Sequence, residues 1–142
     1  MFKITSEIFF NACKKNDIIT VEQFINEKKF PIDIKTKEGW TGLILACFNE
    51  SYNVAKLLIE NNADINATNS KGTTVFMYAK TPIQSKQDQT SFLKFLLEKG
   101  AQINAMDIYN KTVLDYVIEK KCFILAKWLQ KNGAKATIEN EN

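Results

Sequence analysis

The chain has 142 residues, 45% of them hydrophobic, with 19 basic against 16 acidic residues and a net charge of +3. That is one domain's length of chain, with enough apolar content to bury a core. Every basic residue is lysine: without histidine the commonest general base and zinc ligand is gone, and without arginine so is the bidentate fork that reads guanine edges and clamps phosphates.

Met1 to Glu7 has neither the apolar run nor the small-residue cleavage site of a signal peptide, and no apolar run approaches the ~18 residues of a membrane span. Phe9 and Ala12-Cys13, then Val21, Phe24 and Ile25, form a first, degenerate pair of apolar faces. Thr41 stands at an N-cap position, where its side-chain oxygen can accept from the first free amides of a helix. Leu43, Ala46 and Cys47 follow on one face, and Val54, Leu57 and Leu58 on the next, spaced three and four apart as an amphipathic helix requires. Asn62 takes the left-handed place after that second helix. Gly72 then turns the chain into the cap Thr74 and the face Phe76/Ala79, and Phe92, Phe95 and Leu96 form the partner face, closed by Gly100. Asn110 and Thr112 open the last pair, Leu114/Val117 and Leu125/Trp128/Leu129, closed by Gly133.

These faces recur. Gly39, Thr41, Leu43 and Ala46 return 33 residues along as Gly72, Thr74, Phe76 and Ala79. Leu57-Leu58-Ile59-Glu60, Ala63, Ile65, Asn66 and Ala67 return at an offset of 38 as Phe95-Leu96-Leu97-Glu98, Ala101, Ile103, Asn104 and Ala105, so about five residues are inserted between. Trp128-Leu129, Gly133 and Ala134 restore the offset of 33. A period of this length marks a stacked repeat array, and the chain resembles the ankyrin family over nearly its whole length. The resemblance rests on Gly39-Trp40-Thr41-Gly42-Leu43-Ile44-Leu45-Ala46 and on Val54 to Ala67, which follow the family's G-x-T-P-L-H-x-A and V-V-K-L-L-L-E-x-G-A-D-V-N-A runs. One departure is consistent: Thr-Pro-Leu-His becomes Thr41-Gly42-Leu43-Ile44, Thr74-Val75-Phe76-Met77 and Thr112-Val113-Leu114-Asp115, so the proline and histidine that bridge neighbouring repeats are missing. The resemblance implies an all-α solenoid of four stacked helix–turn–helix repeats joined by β-turn finger loops. They fill a single domain over 1–135, at approximately 5–34, 35–67, 68–105 and 106–135, with a frayed tail at 136–142.

No constellation for catalysis emerges: the five glycines form no phosphate cradle, Ser70-Lys71 and Ser85-Lys86 are adjacent rather than spaced as in hydrolases, and no metal or cofactor site is expected. A non-enzymatic, protein-binding role is what the family resemblance implies, through the concave groove lined by loop tips and first-helix faces. Mapped onto this chain, the groove takes Lys14 and Lys15; Lys37, Glu38, Trp40, Phe48 and Asn49; Ser70, Lys71 and Thr73; and Ile108, Tyr109, Lys111, Glu119 and Lys120. Trp40 is the most telling, because the family varies freely there and tryptophan dominates binding hot spots; the alternative is that Trp40 folds over the neighbouring loop as a lid. The lysines around these aromatics favour a partner with an acidic patch. An inhibitor or immunity-type protein is the sharper version, a secreted effector another. A basic-surface binder of RNA or anionic lipid is the reading from a different class, disfavoured by the missing arginine.

Four further expectations follow. Pro82 ends a helix early and leaves 81–91 as an exposed loop, either tolerated or part of the binding face. Cys13 and Cys47 are buried, reduced stand-ins for alanine, Cys122 is more exposed, and the odd thiol count suits a cytoplasmic protein. The unit is a monomer, with a weak homodimer contact available if Phe123 and Ile124 at the outer edge do not tuck under. The tail from Thr137 to Asn142 has no periodicity and frays.

Overall fold

In the computed structural model, which describes residues 2–137, eight helices follow one another in four contacting pairs. They are α1 (Phe2–Lys14) with α2 (Ile18–Asn26), α3 (Gly42–Phe48) with α4 (Tyr52–Glu60), α5 (Val75–Ile83) with α6 (Ser91–Glu98), and α7 (Val113–Glu119) with α8 (Phe123–Lys131). Among the described residues there is no sheet, only the isolated bridges Lys35–Thr41 and Thr68–Thr74 at the bases of two finger loops. The first helices α1, α3, α5 and α7 stack in sequence, and one continuous core runs through them, with Phe9, Cys13, Ile44, Cys47, Ala79, Leu114 and Val117 wholly buried. Each buried Leu or Phe contributes on the order of 1.5–3 kcal/mol, mostly across the boundary with the next pair.

The three caps form as the spacing requires. Thr41 accepts from Ile44 N at 3.2 Å, Thr74 from Met77 N at 3.1 Å and Thr112 from Asp115 N at 3.3 Å. Asn62, Gly100 and Gly133 all hold positive φ after their second helices, and Gly39, Gly72 and Asn110 do so in the fingers. Gly39 has a second reason: a Cβ there would lie 2.8 Å from Ser70 N of the next finger.

The missing proline and histidine are replaced by contacts particular to this chain. Gly42 stands where the family has proline, and a Cβ on it would fall 2.7 Å from the Phe9 ring and 2.9 Å from Cys13 Sγ, so the absent side chain lets α3 close on α1. Asp115 stands where the family has histidine. Its carboxylate accepts from Thr112 N at 2.8 Å to complete a capping box, and from both N and Oγ1 of Thr137 at 3.0 Å. Burial alone would raise the Asp115 carboxyl, but these hydrogen bonds outweigh it and hold it below its ordinary value. Asp33, Asn66 and Asn104 add a ladder between pairs. Asp33 accepts from Asp64 N at 3.0 Å, Asn66 bridges Gly100 O and Gln102 N, and Asn104 bridges Gly133 O and Lys135 N.

Three expectations need correction. Pro82 does not end α5, which continues to Ile83. A proline this close to a helix end forfeits a single intrahelical bond, while Gln84 N still reaches Lys80 O at 3.2 Å and Ile83 is buried beneath the segment. The rest of the insertion is braced on both sides. Lys86 pairs with Glu50, and the Gln87 side chain accepts from Ile124 N and Leu125 N at 3.0 and 3.1 Å, capping α8 from outside as Asn16 caps α4 at Val54 N. Cys122 is therefore not the exposed thiol: it is 7% accessible, its sulfur 3.7 Å from Gln84 O of the insertion. Thr137 does not fray, being held by Asp115; residues 138–142 lie outside the described part of the chain. Phe123 and Ile124 remain exposed and do not tuck under.

Candidate functional site

Three elements enclose a groove of about 830 Å³ on the finger side of the array. α1 presents Glu7, Ile8, Phe10, Asn11 and Lys14; the first finger presents Thr36, Glu38 and Trp40; α3 presents Leu45, Phe48 and Asn49. The α1 residues are spaced as one helical face, opposite the buried Phe9, Ala12 and Cys13.

The finger is held closed by its own backbone. Thr36 N donates to Trp40 O at 2.9 Å, Gly39 N to Thr36 O at 2.9 Å, and Trp40 N to Thr36 Oγ1 at 3.1 Å. Glu38 O also accepts from Ser70 N and Oγ of the next finger at 3.3 and 3.2 Å, so the loop that carries Trp40 is fixed to its neighbour. Trp40 leans on Tyr78 of α5, ring centroids 4.7 Å apart, and meets Phe48 edge-on at 5.7 Å; Phe48 and Tyr78 close the trio at 5.6 Å. Tyr78 is itself anchored, its hydroxyl accepting from Asn69 Nδ2 at 2.7 Å. Trp40 thus packs across a boundary between pairs and also lines the groove. Such side-chain locking lowers the ordering cost of binding.

The sequence-predicted residues fall into two groups. Lys14, Glu38, Trp40, Phe48 and Asn49 meet in the groove. Lys15 and Lys37 are exposed but line none of it. Ser70 and Thr73 are spent on loop structure, Ser70 with Glu38 O and Thr73 N with Asn69 Oδ1 at 2.9 Å. Lys71 is exposed, its carbonyl accepting from Ile108 N at 3.0 Å. Ile108 and Tyr109 are 61% and 58% exposed at the last finger, beside Met106. Lys111 is paired with Glu119 at 2.9 Å and lies 5.3 Å from the Tyr116 ring; Lys120 is exposed. Tyr116 donates to Asp107, and burial first, then Asp107, pushes its phenol up. Beneath it Lys80 is 8% accessible, 5.1 Å from the same ring, and burial lowers its ammonium to about 8. This second group is a surface, not a cleft.

Sequence reasoning missed Glu7, Ile8, Phe10, Asn11, Thr36 and Leu45. The α1 face was findable, since Glu7, Phe10, Asn11 and Lys14 repeat at helical spacing beside the core face. Leu45 was findable too: successive first helices carry Leu45, Tyr78 and Tyr116 at one repeat position.

Among the described residues no three histidine, cysteine, aspartate or glutamate side chains gather as metal ligands. Burial raises the Cys13 thiol to about 12 and pushes Cys47 up further, which keeps both as inert thiols.

A model of ankyrin repeats in three copies matches residues 9–107. The chain belongs to the ankyrin repeat family, whose members are generally protein–protein interaction modules and typically non-enzymatic. It is 33% identical to an ankyrin repeat protein of Acanthamoeba polyphaga mimivirus over 94% of this chain and 24% of that protein. It is 30% identical to the ankyrin repeat protein YahD of Escherichia coli over 84% of this chain and 60% of that one. A fowlpox virus ankyrin repeat protein is 34% identical over 54% of this chain and 37% of its own length. The chain thus spans about a quarter of the first relative and three-fifths of the second. No helix among the described residues is long and apolar enough to cross a membrane.

Proposed function

We propose that this protein is a non-enzymatic binding module that holds a segment of a partner protein in the groove between α1, the first finger and α3. The observation that carries this reading is Trp40: a large, partly exposed aromatic, fixed by Tyr78, Phe48 and the Thr36 turn, at the wall of an 830 Å³ groove. Rigid aromatics in a concave setting are what binding hot spots are made of. The groove brings no reactive group to its ligand, so its activity is occupancy, whether as scaffold, mask or inhibitor. An acidic partner would find Lys37, Lys71 and Lys120 exposed, but none of the three lines the groove. We take the working form to be a cytoplasmic monomer built of four repeats over 1–135. The three free cysteines support the compartment, and exposed Phe123 and Ile124 are where a second copy would dock in a weak homodimer.

The test is capture from native lysate by wild type, Trp40→Ala and Tyr109→Ala forms of equal thermal stability. A protein retained by wild type and Tyr109→Ala and lost by Trp40→Ala supports the groove. A protein retained equally by all three moves the site elsewhere, and recovery of nucleic acid or lipid in place of protein ends the reading.

A further inference from the structure

We infer that the segment held in this groove pairs an apolar anchor with a flanking lysine or arginine, so that the partner is cationic at the site. This rests on the groove reading above and specifies its ligand.

The floor, Phe10, Leu45, Phe48 and Trp40, calls for an apolar anchor that removes it from water. The charges at the groove are Glu7 and Glu38 against Lys14, a balance of one negative charge in a protein whose total is +3. The difference lies in how the carboxylates are used. Glu50 is neutralised by Lys86, and Glu119 by Lys111. Glu7 and Glu38 form no ion pair among the described residues. Glu38 is also held in place, since its carbonyl is fastened to Ser70 and its loop closes through Thr36, Gly39 and Trp40. The backbone that carries its charge is therefore fixed beside the tryptophan. Glu7 and Lys14 lie seven residues apart on α1, roughly 10 Å along the axis, so the single cation does not cancel both acids at once.

Seating an apolar segment displaces water from around these carboxylates and strengthens whatever they then face. A basic side chain there gains; an acidic one meets uncompensated like charge, the arrangement by which interfaces reject wrong partners. Of the lysines that led the sequence toward an acidic partner, Lys14 alone lines the groove; the others lie outside it, Lys111 already paired with Glu119.

A phage-displayed library of random peptides, selected on the full chain, tests this directly. The expected result is enrichment of peptides that join aromatic or aliphatic residues to lysine or arginine. Their affinity should fall about tenfold for Glu7→Gln/Glu38→Gln, as for the loss of about 1.4 kcal/mol, and about thirtyfold for Trp40→Ala, as for about 2 kcal/mol. Enriched peptides that need Trp40 but carry no basic residue, carry acidic ones, or ignore Glu7→Gln/Glu38→Gln overturn the charge inference and leave the groove standing. Peptides indifferent to Trp40→Ala, or no enrichment at all, overturn the groove reading and this inference with it.

Discussion

The first finger and the last are built on one plan and end in opposite states. In the third and fourth helix pairs a tyrosine of the first helix reaches back nine residues to the polar residue that opens its finger, Tyr78 to Asn69 and Tyr116 to Asp107. Those openers also gather backbone amides: Asn69 accepts from Lys71 N and Thr73 N, and Asp107 from Tyr109 N and Lys111 N. The loop is thereby clamped over its helix. At the same position α3 carries Leu45, which has no hydroxyl, and Thr36 closes its own turn on Trp40 N. One substitution in the repeat leaves the space beside Leu45 open and apolar, where the later pairs fill it with a hydrogen-bonded ring. A solenoid of repeated units opens a groove by omitting an element that the third and fourth pairs keep.

The largest expected effect comes from restoring the family residue at Gly42. Gly42→Pro puts carbon within 2.7 Å of Phe9 and 2.9 Å of Cys13 Sγ, and overpacking of this kind costs about 1–3 kcal/mol. A family-consensus change should therefore lower the melting midpoint, whereas an unchanged or raised midpoint would mean that α1 is free to shift. Next, Trp40→Ala should weaken a groove-bound peptide by about 2 kcal/mol, while Tyr109→Ala changes it less than about twofold; titration calorimetry separates the two. Leu45→Tyr sharpens the comparison further. It should fill the groove as Tyr78 and Tyr116 fill theirs and cut affinity about tenfold, ~1.4 kcal/mol, with circular dichroism and midpoint nearly unchanged. In the other direction, Tyr116→Phe leaves a carboxylate oxygen of Asp107, 7% accessible, without its donor. It should cost about 1–2 kcal/mol in denaturant unfolding without touching groove affinity.

The smallest effect concerns alkaline pH, where the halves respond with opposite sign. Cys13, in the first half, is raised from 9.0 to about 12 by burial. Below pH 9 both folded and unfolded chains keep its proton; above it only the folded chain does, so the stability it contributes is lost as pH rises. Cys47 acts in the same direction. Lys80, in the second half, is lowered from 10.5 to about 8. Between those values only the unfolded chain holds the proton, so its contribution grows with pH. From pH 8 to 10, relative to wild type, stability should change more upward with pH in Cys13→Ala/Cys47→Ala and more downward in Lys80→Met, as read from urea midpoints.

What the sequence disclosed, it disclosed through periodicity. Thr41, Thr74 and Thr112, the left-handed Asn62, Gly100 and Gly133, and the alternating faces recur because each pair must bury the same surface on its neighbour. The groove was half legible. Trp40, Phe48, Asn49, Glu38 and Lys14 could be placed by their frame positions; the rest of the α1 wall shows only as helical spacing, because the first pair matches the others too loosely for the repeat frame to mark Phe10 and Asn11. Which lysines reach the groove was not legible for a physical reason: a repeat frame gives position along the array, whereas salt bridges such as Lys111–Glu119 and Lys86–Glu50 join residues whose meeting depends on rotamers and insertions. Pro82 and Cys122 were misplaced by the same insertion, whose packing against α8 no local pattern announces.

Binding at the open first finger and binding at the clamped last one would leave different footprints. The most direct measurement is a backbone-amide chemical-shift map of the protein titrated with a peptide selected on it. Shifts centred on Phe10, Trp40, Leu45 and Phe48 are expected, with about tenfold more peptide needed to saturate them in Leu45→Tyr. Shifts confined to Ile108, Tyr109 and Lys111 would contradict the groove reading.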